Sequence, residues 1–81
     1  MFKRILRIIC LDTPGVIGKI VDIFGNNNVS IESIVQLDAT EDKAEIVVIT
    51  HEVNNGCFEK SKDEINSLYE VKFIASQLSC I

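Results

Sequence analysis

Residues 3–25 read KRILRIICLDTPGVIGKIVDIFG, and this stretch decides the fold. Its first nine residues are rich in isoleucine and leucine, too short and too β-branched for a helix, so they predict a strand over 3–11. Asp12-Thr13-Pro14-Gly15 then breaks the run. Thr13 is the expected N-cap, and Pro14 the first helical residue, where a missing N–H costs nothing. Ile17, Ile20, Val21 and Phe24 follow at i, i+3, i+4 and i+7, the spacing of one helix face, and Gly25 with Asn26, Asn27 and Asn28 closes the helix.

Working outward, Val29, Ile31, Ser33, Val35, Leu37 and Ala39 alternate with Ser30, Glu32, Ile34, Gln36 and Asp38. That period of two predicts a second strand, with the first set mainly buried. Residues 40–43, TEDK, form a polar turn and residues 44–51, AEIVVITH, a third strand, so the pair reads as a hairpin whose loop is slightly longer than the tightest type. Asn54-Asn55-Gly56 breaks the chain again. A second helix follows, with Phe58, Ser61, Ile65 and Leu68 on its stripe and Glu59, Lys60, Asp63 and Glu64 facing water. Residues 70–81 are a last strand.

The order β-α-β-β-α-β implies an α+β domain of the ferredoxin-like plan, a four-stranded antiparallel sheet with two helices on one face. Ile5, Ile9 and Leu11 then fall on the face the helices leave open, a surface expected to meet another domain or subunit.

The bulk numbers narrow the function classes. The 81 residues are expected to form a single domain, 1–81, with no room for a separate catalytic one. Net charge is −4 and the eight basic residues are scattered, so no basic face for nucleic acid is expected. No apolar run approaches the ~18–20 residues that span a bilayer, and the start MFKRILRIICL has charges inside it and no small-residue cleavage site. Three cysteines, Cys10, Cys57 and Cys80, are an odd count without metal-site spacing, which suits a reduced, cytoplasmic protein and small apolar fillers or surface thiols.

Chemistry is sparsely encoded. His51 is the only histidine, at a strand end, with no Asp, Glu or Cys at pairing distance in the sequence, so neither a nucleophile-base pair nor a metal site is expected. The glycine-rich fingerprints for dinucleotides and phosphates are absent, and no cofactor is expected. The acidic residues fall on a turn and a helix face, where solvation accounts for them. The second and third strands carry no aromatic residue, against an RNA-binding reading of this fold. An acylphosphatase-like enzyme needs an anion-cradling loop with an arginine, and the first turn here is acidic.

That first turn, Asp12-Thr13-Pro14-Gly15-Val16, has a physical logic for a free amino acid, which needs two opposite partners close together. Unpaired N–H groups at the helix start suit a carboxylate, Gly15 lets it approach, and Asp12 suits the ammonium group. The alternative is that Asp12 and Thr13 merely cap the helix and Gly15 eases the turn.

DTPGVIGKI after a strand, followed by NVSIESI, resembles the signature of ACT domains, small-molecule sensors attached to enzymes of amino-acid metabolism. The stretches VSIESIVQ and AEIVVITHEV look like one branch in particular, the regulatory C-terminal domain of homoserine dehydrogenase, and the similarity runs over nearly all of the chain. The resemblance implies a parent enzyme, with catalytic domains outside this chain, that reduces aspartate semialdehyde to homoserine with NAD(P)H. It implies threonine as feedback effector and pairing into a homodimer. The effector then lies between the first turn of one copy, at Asp12, Pro14, Gly15, Val16 and Ile17, and Asn28, Val29, Ser30 and Ile31 of its neighbour. Two departures stand out. Some amino-acid-sensing members carry asparagine where this chain has Asp12 and Ser30. Ser61-Lys62 stands where relatives favour apolar residues, which predicts a less buried stripe there. The rival to sensing is a structural dimerisation module that binds no ligand.

Overall fold

The computed structural model describes residues 3–40 and 42–80, with the side chains of 38–40 and 76–80 not described. Strand β1 (Lys3–Leu11) leads to helix α1 (Val16–Asn26), strands β2 (Ile31–Thr40) and β3 (Lys43–Thr50), helix α2 (Asn55–Asn66) and strand β4 (Val71–Cys80). The sheet order is β2-β3-β1-β4, antiparallel at each pairing, so the expected α+β, ferredoxin-like plan is the one adopted.

The core is the layer between the sheet and the helices. Leu6, Ile8 and Cys10 of β1 and Ala44, Ile46 and Val48 of β3 turn inward and meet Val16, Ile20 and Phe24 of α1 and Phe58 and Ile65 of α2. Burying that apolar area is the main favourable term in folding. Ile5, Ile9 and Leu11 lie on the opposite face and are only half-buried, as the alternation of β1 predicts.

Three elements differ from the expectation. The buried line of α1 is Val16, Ile20 and Phe24, while Val21 is 39% exposed. The helix begins two residues later than Pro14, and its inward face is centred on an i, i+4, i+8 row. In β2, Val35 and Leu37 are 45% and 46% exposed, not buried. A register shift between Ile31 and Ser33 inserts a β-bulge, so Ile31 opposes buried Thr50 while Ser33 and Val35 oppose Ile49 and Val47 on the open face. A single alternation cannot hold across that bulge. Last, Thr40 pairs directly with Lys43, so the hairpin connection is shorter than the one expected. Glu41 within it lies outside the described residues, as do Met1, Phe2 and Ile81.

Both helices are closed by identifiable caps. Asn28 takes a left-handed φ of 61° just past α1. The Val29 N–H donates to the Phe24 carbonyl at 2.9 Å and the Asn28 N–H to the Gly25 carbonyl at 3.1 Å, the paired bonds of a Schellman ending. For α2, the Asn54 side chain accepts from the Cys57 N–H at 2.8 Å, so the Asn54-Asn55-Gly56 break is the helix start itself. Ser61 is fully buried rather than half-exposed, because its hydroxyl donates to the Cys57 carbonyl one turn back at 3.0 Å. Asn27 joins the two helices, its amide donating to the Ile23 carbonyl and to Glu64, each at 2.8 Å.

Arg4 extends this packing beneath α2. Its guanidinium lies 4.8 Å over the Phe58 ring and donates to Asn55, and its backbone N–H donates to the buried Thr50 hydroxyl at 3.0 Å. Cys10 is a core filler whose sulfur approaches the Ala44 carbonyl at 3.8 Å, and burial followed by the nearby charge of Asp12 pushes its thiol pKa up.

Phe24 is fully buried at the centre of this layer. Phe24→Ala is expected to cost about 3–5 kcal/mol, most of the stability of a small domain, while Val21→Ala on the exposed side of the same helix costs under about 1 kcal/mol. Urea unfolding followed by circular dichroism compares the two.

Candidate functional site

The turn between β1 and α1 differs in detail from a simple helix cap. The Val16 N–H points back to the Thr13 carbonyl at 3.4 Å, with Pro14 and Gly15 between them and Gly15 at φ 86°, ψ −7°. Those are the positions and angles of a type II turn, which needs φ > 0 at its third residue. Gly15, not Thr13, is the N-cap residue, and α1 has no side-chain cap bond. The first intrahelical bond of the turn runs from the Lys19 N–H to the Gly15 carbonyl at 3.0 Å. Ahead of it, the Ile17 and Gly18 N–H groups have no acceptor within the helix and stand at the positive end of the helix dipole.

This turn borders a cleft of roughly 400 Å³. Asp12, Thr13, Pro14 and Gly15 form one rim, Val16, Ile17 and Gly18 the helix side, and Ala44 and Ile46 the floor. Gln36 of β2 forms the opposite rim and donates to the Asp12 carboxylate at 3.4 Å. The Asp12 N–H donates to the Asp42 carbonyl at 2.7 Å and the Leu11 N–H to the Glu70 carbonyl at 2.7 Å, so the turn is tied to both neighbouring loops. Lys19 adds an ion pair to Glu70, which holds that carboxyl below its usual range through the hydrogen bond.

All five residues expected in the turn, Asp12, Pro14, Gly15, Val16 and Ile17, line this cleft. Asn28, Val29, Ser30 and Ile31 do not. They follow the far end of α1, about 16 Å away along an 11-residue helix at 1.5 Å per residue. There Asn28 serves the Schellman ending, Val29 is buried, the Ser30 carbonyl accepts from the His51 N–H at 2.9 Å, and Ile31 packs against the core. Thr13, Gly18, Gln36, Ala44 and Ile46 are additional lining residues. Gln36 escaped notice because the alternation assigned its set to the solvent side, whereas its pairing with buried Ile46 places it on the helix side.

Among the described residues, no group of His, Cys, Asp and Glu is arranged to hold a metal ion, and no helix is long and apolar enough to cross a membrane. What the cleft presents is one carboxylate, one carboxamide and a helix start over an apolar floor, arranged around the β1-α1 turn of a ferredoxin-like α+β fold. The chain belongs to the ACT domain family, whose model matches residues 4–68. It is 49% identical over 70 residues to a homoserine dehydrogenase of Synechocystis sp., covering 86% of this chain and 16% of that enzyme. Its fold superposes on a homoserine dehydrogenase from Thiobacillus denitrificans with a TM-score of 0.88 at 21% identity, covering 99% of this chain and 17% of that one. The ACT domain of GTP pyrophosphokinase from Chlorobium tepidum matches with a TM-score of 0.76 at 18% identity over 95% of this chain and 97% of that one. The chain thus spans about a sixth of the length of the homoserine dehydrogenases it matches.

Gly15→Ala separates the role of the backbone from that of space. A Cβ at Gly15 meets nothing within 4 Å, but the left-handed φ remains, so the change is expected to destabilise by about 1–2 kcal/mol. Gly18→Ala, equally unobstructed and inside the helix, is expected to stabilise by up to about 1 kcal/mol. Thermal melts of the two variants moving in opposite directions is the expected result.

Proposed function

We propose that this chain is a regulatory ACT domain of a homoserine dehydrogenase, and that it senses an amino acid of the aspartate pathway, threonine first among them. The observation that carries this is the cleft at the β1-α1 turn, where the uncapped start of α1 and the Asp12 carboxylate flank one apolar floor. The ligand's carboxylate sits on the N–H groups of the helix start and its ammonium on Asp12. Asn28, Val29, Ser30 and Ile31 contribute from a neighbouring copy in a homodimer, since within one chain they stand at the other end of α1. The parent enzyme carries the dehydrogenase chemistry in its own catalytic domains and works in the cytoplasm; the chain itself transfers no hydride.

Calorimetric titration of the chain with threonine tests the reading. Asp12→Asn keeps the shape and removes only the charge, and with no side-chain cap at α1 it costs little stability. A charge-assisted hydrogen bond contributes roughly 1.5–3 kcal/mol, so threonine affinity is expected to fall by about one to two orders of magnitude. Equal affinity in the two proteins makes Asp12 a turn residue only.

A second reading, a dimerisation module that binds no ligand, is favoured by the open face of the sheet. Val35, Leu37 and Phe73 stand 45%, 46% and 53% exposed there beside Ile5 and Ile9. Together with the edge strands β2 and β4, this face supports self-association under either reading. Light scattering is expected to give a mass above the 9.0 kDa of one chain, and a constant monomer mass at all concentrations rejects the pairing.

A further inference from the structure

Helix α2 starts on Asn54-Asn55-Gly56, at the end of the sheet away from the cleft, and a donor beside it is unmet. Arg4 stacks on Phe58 and donates through Nη2 to the Asn55 side-chain carbonyl, yet its Nε is buried and has no acceptor among the described residues. A buried donor without an acceptor is costly, and folded chains rarely keep one. Nε and Nη2 lie along one edge of the guanidinium, the edge that receives both oxygens of a carboxylate. Asparagine brings to that edge a single oxygen, and its other terminal group is itself a donor. An aspartate at position 55 brings two acceptors.

The chemistry for that exchange is already at the turn. Asn55 and Gly56 are both exposed. The Gly56 N–H has no acceptor, since the Asn54 side chain accepts from Cys57 and the Asn54 carbonyl from Phe58. Glycine leaves this nitrogen unscreened by a side chain, and the ends of helices open most easily. We propose that Asn55 is a site of spontaneous deamidation, in which the Gly56 nitrogen attacks the Asn55 side-chain amide and water completes its conversion to aspartate, which Arg4 then holds by two hydrogen bonds. In the first step a bond from the Gly56 nitrogen to Cγ forms as the bond from Cγ to the side-chain nitrogen breaks, and the Gly56 proton leaves with that nitrogen as ammonia. In the second, water adds to a carbonyl carbon of the cyclic imide, one C–N bond opens, and a proton from the water returns to the Gly56 nitrogen. Opening at Cγ restores the main chain and leaves aspartate, whose charge also lies at the positive end of α2. Opening at the backbone carbonyl leaves isoaspartate, with an extra methylene in the main chain between Asn54 and Cys57, the two residues that the cap joins. Either way one water is consumed and one ammonia released.

The test ages the full chain in mildly alkaline buffer and follows it by ion exchange and peptide mass spectrometry. A species with one more negative charge is expected, its change mapping to Asn55. In Gly56→Ala, where the added Cβ meets only Asn54 Oδ1 at an ordinary 3.5 Å, the chain is expected to fold and the species to appear severalfold more slowly. Asn55→Asp makes the main-chain product directly and is expected to melt about 2–6 °C above the wild type, with the gain reduced in an Arg4→Met background. A chain that stays unchanged, an acidic species mapping to Asn66 or Asn26 in place of Asn55, or equal rates in wild type and Gly56→Ala overturns the site. No gain in Asn55→Asp, or the same gain with and without Arg4, overturns the hold by Arg4. The ageing result on the wild type decides the site whether or not Arg4→Met folds.

Discussion

The left-handed backbone at Gly15 is the constraint from which the cleft end of the molecule follows. A chain leaving β1 must turn back over the sheet within a few residues, and Pro14 fixes the first half of that turn while Gly15 supplies the positive φ of the second. Because a type II turn rather than a side-chain cap makes the junction, the Ile17 and Gly18 N–H groups at the helix start are left without an acceptor from a capping side chain. The same turn brings Val16 down into the core, which sets the rotation of α1 and hence which of its residues are buried. Cleft and core are thus arranged by one dihedral angle.

The order and type of the six elements were legible in the sequence because β1, β3 and α1 each carry one dominant period. In β1 and β3 the buried residues are apolar except for Thr50 at the end of β3, and their alternation survives intact in the structure. In β2 both faces carry branched residues and two bulges interrupt the pairing, so no single alternation describes it; Val29 and Ile31 turn inward as expected and the faces are exchanged from Ser33 onward. The identity of Gln36 as a cleft residue was lost with them. The turn side of the cleft was readable from local chemistry alone, since Asp12, Pro14 and Gly15 stand within a few residues of each other. Ala44 and Ile46 reach the cleft only through long-range pairing, which composition and spacing do not encode.

The two groups of residues expected around the effector illustrate how topology divides a site. A helix of eleven residues separates them, and each end is already committed: one to an open turn, the other to a closed Schellman ending whose carbonyls are satisfied within the chain. The first end is chemically available and the second is not. On the reading proposed above, a contribution from Asn28 to Ile31 to a second molecule would come from the exposed side chains of Asn28 and Ser30, without disturbing the helix end that positions them.

The floor of the cleft has no layer of its own. Ala44 and Ile46 border the cleft and are at the same time almost fully buried inward side chains of β3, in the cluster that also holds Cys10 and Ile20. The strand that carries them lies in the middle of the sheet, between β2 and β1. On the reading proposed above, occupancy of the cleft would stiffen this strand, and amide protons along β3 would exchange more slowly with solvent.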